Sequence, residues 1–387
     1  MNRRGFVLAT MGTGFCGSDP SERYPYATEA LIAALEKPDL PRIAARTVVI
    51  HDPAPGAYQY SHHPHITYAF GAFLAMWSSG IEREDRPGQR ILWSRSADGM
   101  AWSKPEILLE CPEPPWRLTA GGWATANGRL YAFINRNRRP EAEALHAGLV
   151  WYPPLYLDVM EAGSDLHWTA PRTIDSDIVA NESTRQTSAG TWLLAGYTAR
   201  LESGVLRSCA GPAEEYVFHP APRVLIPREE LKSVRRTPPQ RPLGEPSWYE
   251  RRDKTLVCFF RDDHASFRLF ASISADDGIT WLRPRQTNIP DAKSKSAARM
   301  LSTGETILVS NPCVARKRNV LAVLVSRDGT KFDHGAILCD AGEHRYAYPS
   351  VIEREGRVWV VYSIDKRRIA VTDFTVAELD RTAQSRR

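Results

Sequence analysis

Ser274-Ala275-Asp276-Asp277-Gly278-Ile279-Thr280-Trp281 has the spacing S-x-D-x-G-x-T-W. Two shorter relatives of it are Ser96-Ala97-Asp98-Gly99-Met100-Ala101-Trp102 and Ser326-Arg327-Asp328-Gly329-Thr330-Lys331-Phe332. The pattern reads as a hairpin turn. Asp and Gly accept the tight turn, the Ser and Thr hydroxyls bond its backbone, and the aromatic ring folds back beneath it. Each copy follows a β-rich run, and three copies in one chain mark an internal repeat.

Six apolar, strand-like runs start at Phe73, Leu130, Trp192, Leu256, Thr306 and Val358, so they recur every 50 to 64 residues. Gly-containing turns precede most of them, among them Asn127-Gly128, Thr303-Gly304 and Glu355-Gly356. This period is the length of one propeller blade. The expected fold is all-β, a β-propeller of six or seven four-stranded blades, with room for a degenerate seventh in residues 199–242. One stretch, Ala27–Leu35, has helical periodicity and is expected outside the barrel. The boundaries read as an N-terminal extension over 1–44, the propeller over 45–376 and a tail over 377–387.

Composition narrows the function. Hydrophobic residues make up 43% of the 387, with 11 Trp, enough to pack sheets face to face. The net charge of +5 is carried largely by Arg, the better bidentate partner of carboxylates, which favours an acidic oligo- or polysaccharide over a neutral ligand. Basic residues are spread out rather than run together with aromatics, which argues against nucleic acid. No apolar run has the length of a transmembrane helix. The six Cys show neither metal-ligand spacing nor a disulfide framework, and Cys258, in mid-strand, reads as a buried hydrophobe. Asn2-Arg3-Arg4-Gly5-Phe6-Val7-Leu8 reads as a twin-arginine-like start, pointing to a secreted or periplasmic protein with a cytoplasmic one as the alternative. Oligomeric state is left open.

Four places carry residues suited to chemistry. Tyr60-Ser61-His62-His63-Pro64-His65 lies on the inner strand of the first blade, and a His near neutrality serves as general base or acid. A zinc ion there would lack a clear further ligand. No motif requires a cofactor, and a structural metal is left open. The loop from Trp77 to Arg90 carries Glu84 and Gln89 beside the His cluster. Glu245 opens one inner strand and Arg261 ends the next. Tyr348 lies on the inner strand of the last blade, with Arg299 and Asn311 expected nearby from the blade before. All four fall at the ends of inner strands, where a propeller gathers its site.

On these residues the chain resembles the sialidase superfamily, whose repeat hairpin is the Asp box, over roughly residues 45–375. The resemblance implies that Tyr348 matches the tyrosine nucleophile, Glu245 its partner and Arg261 the second arginine of a carboxylate-binding triad. The first arginine is replaced within His62-His63-Pro64, which exchanges a fixed clamp for a titratable group. The strand Tyr60 to Pro64, the loop Trp77 to Gln89 and Glu245-Pro246-Ser247 look closer to propeller enzymes of uronic-acid polysaccharides: ulvan lyases, rhamnose–glucuronate lyases and exo-acting rhamnosidases. Lyases of that group carry a second His on the loop where this chain has Glu82, Arg83 and Glu84. The expectation is a polysaccharide lyase or glycoside hydrolase of a rhamnose–glucuronate type linkage, by His- and Tyr-assisted β-elimination or by hydrolysis. His63 is the expected base, His62 its alternative, and Arg261 or Arg136 the carboxylate partner. The competing classes are a sialidase-like exo-glycosidase and a non-catalytic propeller that stacks acidic sugars on Trp77, Trp116 and Trp248.

Overall fold

The computed structural model describes residues 23–37, 39–56, 58–138, 151–227, 230, 240–264 and 266–384. The twin-arginine-like start and Cys16 lie outside them. Six antiparallel sheets are arranged as a propeller, and the innermost strands of successive blades touch, except that the first strand of blade four meets Trp192–Tyr197 of blade three. Blade one is Tyr60–Ala69, Ala72–Gly80, Arg90–Ser96 and Glu106–Leu109, from the axis outwards; blade two is Arg117–Ala126, Arg129–Arg138, Tyr152–Ala162 and Arg172–Asp175. In blade three the inner edge is split into Val179–Ala180 and Arg185–Gln186, followed by Trp192–Tyr197, Ser203–Ser208 and Val217–Pro220. Blade four is Leu243–Glu250, Leu256–Asp262, Arg268–Ser274 and Arg285–Pro290. Blade five is Ala297–Met300, Thr306–Ser310, Leu321–Ser326 and Lys331–Cys339, with Tyr26–Ala27 added in parallel at its rim. Blade six takes Tyr346–Arg354, Arg357–Ile364 and Arg368–Thr375, and its outer strand is Arg46–His51 from the other end of the chain, which closes the ring.

The blade count is therefore six. The described part of 199–242 holds the outer strands of blade three, not a seventh blade. The helix runs from Glu29 to Glu36, capped by the Thr28 hydroxyl, which accepts from the Leu31 amide at 3.3 Å. Its Leu31, Ala34 and Leu35 pack in one cluster with Phe332 and Ile337 of blade five. A second helix, Val376–Gln384, forms where a tail was expected.

The repeat hairpins fold as their residues dictate. Asp276 accepts from the Ser274 hydroxyl at 2.8 Å, the Thr280 amide at 2.9 Å and the Thr280 hydroxyl at 2.6 Å. Trp281 donates its indole N–H to the Gly278 carbonyl at 3.1 Å and packs with Leu193 and Val205 of the preceding blade. Asp98 and Asp328 cap their turns in the same way. Asp276→Ala is expected to cost about 1–2 kcal/mol by releasing these donors. An unchanged urea midpoint would show that the carboxylate does not hold the turn.

Four inner strands carry a register shift at the same level, between His62 and His65, Ala120 and Gly122, Gly244 and Ser247, and Ala347 and Ser350. Left-handed backbone marks each bulge: His63 at φ 55°, Gly122 at 127°, Glu245 at 50° and Tyr348 at 59°. Proline follows three of them, Pro64, Pro246 and Pro349, where the unpaired bulge position needs no N–H. Each non-glycine residue held this way costs about 1 kcal/mol or more. The bulges place His63, Glu245 and Tyr348 on the wall of one cavity.

Candidate active site

A cavity of about 260 Å³ opens between the inner strands, lined by His63, Glu84, Arg117, Glu245, Arg261 and Tyr348 among others. The Tyr348 hydroxyl donates to Glu245 Oε1. Arg261 Nη1 donates to Glu245 Oε2 at 2.7 Å and to the Tyr348 oxygen at 3.3 Å, while Nη2 pairs with Asp263 at 2.7 Å. Burial pulls the Glu245 carboxyl up, but Arg261 and the tyrosine bond outweigh it and hold it below the usual carboxylate range. Burial and the Glu245 charge push the Tyr348 phenol well up. At rest the dyad is thus a protonated phenol hydrogen-bonded to a carboxylate. Its proton already points at an acceptor.

His63 lines the cavity beside Tyr348, and the fully buried His62 packs against both. The His62 ring lies 4.1 Å and the His63 ring 5.1 Å, centroid to centroid, from Tyr348. Ser363 donates to the Ala347 carbonyl, so its oxygen accepts from His62 Nδ1–H at 2.6 Å. His63 Nε2 lies 3.2 Å from Glu84 Oε1, and its Nδ1 lies 3.2 Å from the Ser78 hydroxyl. Burial lowers the pKa of both rings, against the pull of Glu84, so both rest neutral near pH 7. Burial pulls Glu84 up, but its bond to His63 and the Lys366 ammonium carry it below the ordinary range. His62, His63 and Glu84 bring three ligand atoms within 4.8 Å of one another, a set able to hold a divalent ion; the Lys366 ammonium already stands against the other Glu84 oxygen.

Other sequence candidates fall elsewhere. Arg136 does not line the cavity; it pairs with Asp158 at 2.7 Å and stacks on Tyr156, with Trp116 5.4 Å from its guanidinium. Arg299 lines a separate depression with Arg185, Trp248 and Ser350, further along the inner strands, and donates to the Val351 carbonyl at 3.3 Å. Asn311 is buried and ties down the Val320 and Tyr346 carbonyls. Gln89 is buried and donates to the Leu118 carbonyl at 2.6 Å. Trp77 and Trp248 are core residues at 0% and 2% exposure, so neither offers a face for stacking a sugar. Strand alternation turns Trp77 into the packing between blades, against His51.

Sequence reasoning missed several wall residues. Arg117 pairs with Asp85, donates to Asn137 Oδ1 at 2.7 Å and lies 4.0 Å beneath the Trp151 ring. Asp263 and Lys295 also line the cavity. Arg117 opens the inner strand of blade two as Tyr60 opens that of blade one, and this register was the one signal available.

A six-bladed ring with Asp-box hairpins that gathers a Tyr–Glu–Arg cluster between its inner strands has the fold of a sialidase-like β-propeller. Residues 71–360 match the family of the BNR repeat-like domain, and the chain belongs to it. Among solved structures, a sialidase superposes with a TM-score of 0.62 at 17% identity, covering 91% of this chain and 35% of its own length. The chain thus spans about a third of that protein. The leech intramolecular trans-sialidase complexed with 2,7-anhydro-Neu5Ac gives a TM-score of 0.65 at 13% identity, over 88% of this chain and 71% of the other. A protein of unknown function from Dyadobacter fermentans gives 0.63 at 13% identity, over 86% and 98%. At these identities the likeness is one of fold. No curated protein matches the chain.

Proposed function

We propose that this propeller is a carbohydrate-active enzyme that cleaves a glycosidic bond of an acidic glycan, of the rhamnose–glucuronate type, by hydrolysis through a tyrosine nucleophile. The observation that carries the reading is the buried Tyr348–Glu245–Arg261 cluster. Glu245, kept ionised by Arg261, accepts the phenolic proton as Tyr348 Oη attacks the anomeric carbon. The glycosidic oxygen departs with a proton, and water later releases the sugar from Tyr348. Asp263, on the cavity wall beside Arg261, is the group we assign to pass a proton to the leaving oxygen. His63 lines the cavity beside Tyr348, and the ionised Glu84 next to it stabilises the ring whenever it takes up a proton.

A second reading, β-elimination, is favoured by one feature: His63 is held neutral and so is ready as a base for the proton next to a uronate carboxylate. The two separate by product. Incubated with a rhamnose–glucuronate polysaccharide, the protein is expected to release a reducing sugar without the ultraviolet absorbance of an unsaturated uronate. That absorbance, lost in His63→Ala, would replace hydrolysis by elimination. Binding without either product would replace both by a non-catalytic lectin.

A further inference from the structure

The cavity that holds the dyad is also lined by three buried polar side chains from alternate blades, which we call its throat. Lys295 precedes the inner strand of blade five, Asn181 follows the first inner piece of blade three, and His65 lies in blade one. They are 3%, 8% and 2% exposed and all line the cavity. Each spends part of its bonding on the bulge of the next blade. Lys295 Nζ donates to the Pro349 carbonyl at 3.0 Å, and Asn181 Nδ2 donates to the Pro246 carbonyl at 2.8 Å. His65 bonds the Ala120 backbone, while burial and the neighbouring Lys295 charge hold its pKa well down and its ring neutral.

The rest of their capacity is unspent. Asn181 Oδ1 and His65 Nδ1 are buried acceptors without a partner among the described residues. An ammonium has three N–H donors, and Lys295 uses one. Among the described residues lining the cavity, Arg117 pairs with Asp85 and Arg261 with Glu245 and Asp263, whereas Lys295 makes no direct ion pair: burial pulls its pKa down and the charges of Glu182 and Glu245 act on it only from beyond contact. A buried cation calls for an anion, and buried acceptors call for donors.

We propose that this throat is the subsite for the carboxylate of the acidic sugar, with Lys295 as its counter-charge and Asn181 and His65 accepting from the hydroxyls beside it. The assignment rests on the proposed glycan-cleaving function and names the part of the substrate that enters deepest. It gives the carboxylate to Lys295 rather than to Arg261, whose charge is already matched by Glu245 and Asp263 at its two Nη groups and which keeps the N–H at Nε unpaired among the described residues. The Lys295 contact to Pro349, next in chain to Tyr348, sets the anchored carboxylate close to the attacking oxygen.

The test uses the full chain carrying Tyr348→Phe, so that no turnover intervenes, with sodium glucuronate and its methyl ester as probes in ligand-observed NMR and calorimetry. Glucuronate is expected to bind tighter than the ester by about tenfold to a hundredfold, the range of a charge-assisted hydrogen bond. Adding Lys295→Met should erase that preference. Lys295→Gln, which keeps a donor and drops the charge, should also erase it and guards against collapse of the throat in the Met variant. A preference for glucuronate that survives both substitutions, or one missing from the parent, overturns the subsite. Carboxylate-selective binding that depends on Lys295, in a wild-type protein that cleaves no glycan, would sink the catalytic reading and leave the subsite standing.

Discussion

Tyr348→Phe is expected to lower kcat on the acidic glycan by on the order of 10⁴-fold, since the substitution removes the attacking oxygen and leaves the ring in place. The ring matters to the control. It packs 4.1 Å from His62 and 5.1 Å from His63, and Phe keeps both contacts. Glu245 loses one donor but retains Arg261 at 2.7 Å, so stability should change by no more than about 1 kcal/mol. Glu245→Gln should reach a similar rate, because the phenol then lacks a proton acceptor. The double variant should be no slower than the slower single one, as expected of groups that act as a unit. The acid limb of the pH profile has a defined place as well. Glu245 is held below the ordinary carboxylate range, so activity should persist down through that range and fall only where Glu245 takes up its proton. Steady-state kinetics of the three variants checks this, and a Tyr348→Phe enzyme within tenfold of wild type would remove the tyrosine from the chemistry.

The fold was legible because a propeller is written locally. Each Asp-box turn is closed by residues within a few positions, as Asp276 shows with Ser274 and Thr280, and such short-range chemistry survives translation into sequence pattern. The blade count blurred at two points for physical reasons. Blade three has an inner edge broken into two short pieces, Val179–Ala180 and Arg185–Gln186, which weakens the strand signal there. Blade six borrows Arg46–His51 from the opposite end of the chain, a pairing no local window can contain.

The cavity residues divide in the same way. His63, Glu245 and Tyr348 each precede a proline inside an apolar inner strand, and proline is admitted there only where the ladder is interrupted. The sequence therefore marks their bulges. Arg117 and Lys295 carry no such mark. Their places depend on Asp85 in a neighbouring loop and on the Pro349 carbonyl in another blade. Trp77 failed for a related reason: in a β-strand one residue of register decides between core and cavity, and the bulge opposite it shifts that register. Gln89, just before the strand Arg90–Ser96, spends its amide on the Leu118 carbonyl of the next blade, a partner the sequence does not mark.

Asp291→Asn is expected to stabilise the protein strongly at alkaline pH and hardly at all in acid. The carboxyl is 1% exposed, between the last strand of blade four and the first of blade five. Oδ2 accepts from the Ser294 amide at 3.2 Å, and Oδ1 has no partner. Burial raises its pKa from 3.8 to about 7, with Arg261 and Arg318 pulling down and Glu245 pushing up. The sign follows from the raised value. Below the unfolded pKa, Asp291 is protonated in both states and costs nothing. As pH climbs toward the folded value, the unfolded chain ionises first and folding loses up to about 4 kcal/mol, a penalty that is complete above both values. Asparagine keeps an acceptor for the Ser294 amide and carries no charge, so its advantage should grow between about pH 4 and pH 7 and then level off. The difference between the two proteins is the quantity to follow, because Glu84 and Glu245, with lowered pKa values, drive the absolute stability of both the other way in acid. Urea midpoints measured across this range give that difference directly. Parallel curves for the two proteins would mean that Asp291 ionises as an ordinary carboxylate. A divergence on the alkaline side would show a buried acid whose ionisation near neutrality adds negative charge next to Arg261 and Glu245, coupling the stability of the ring to the charge state of the dyad.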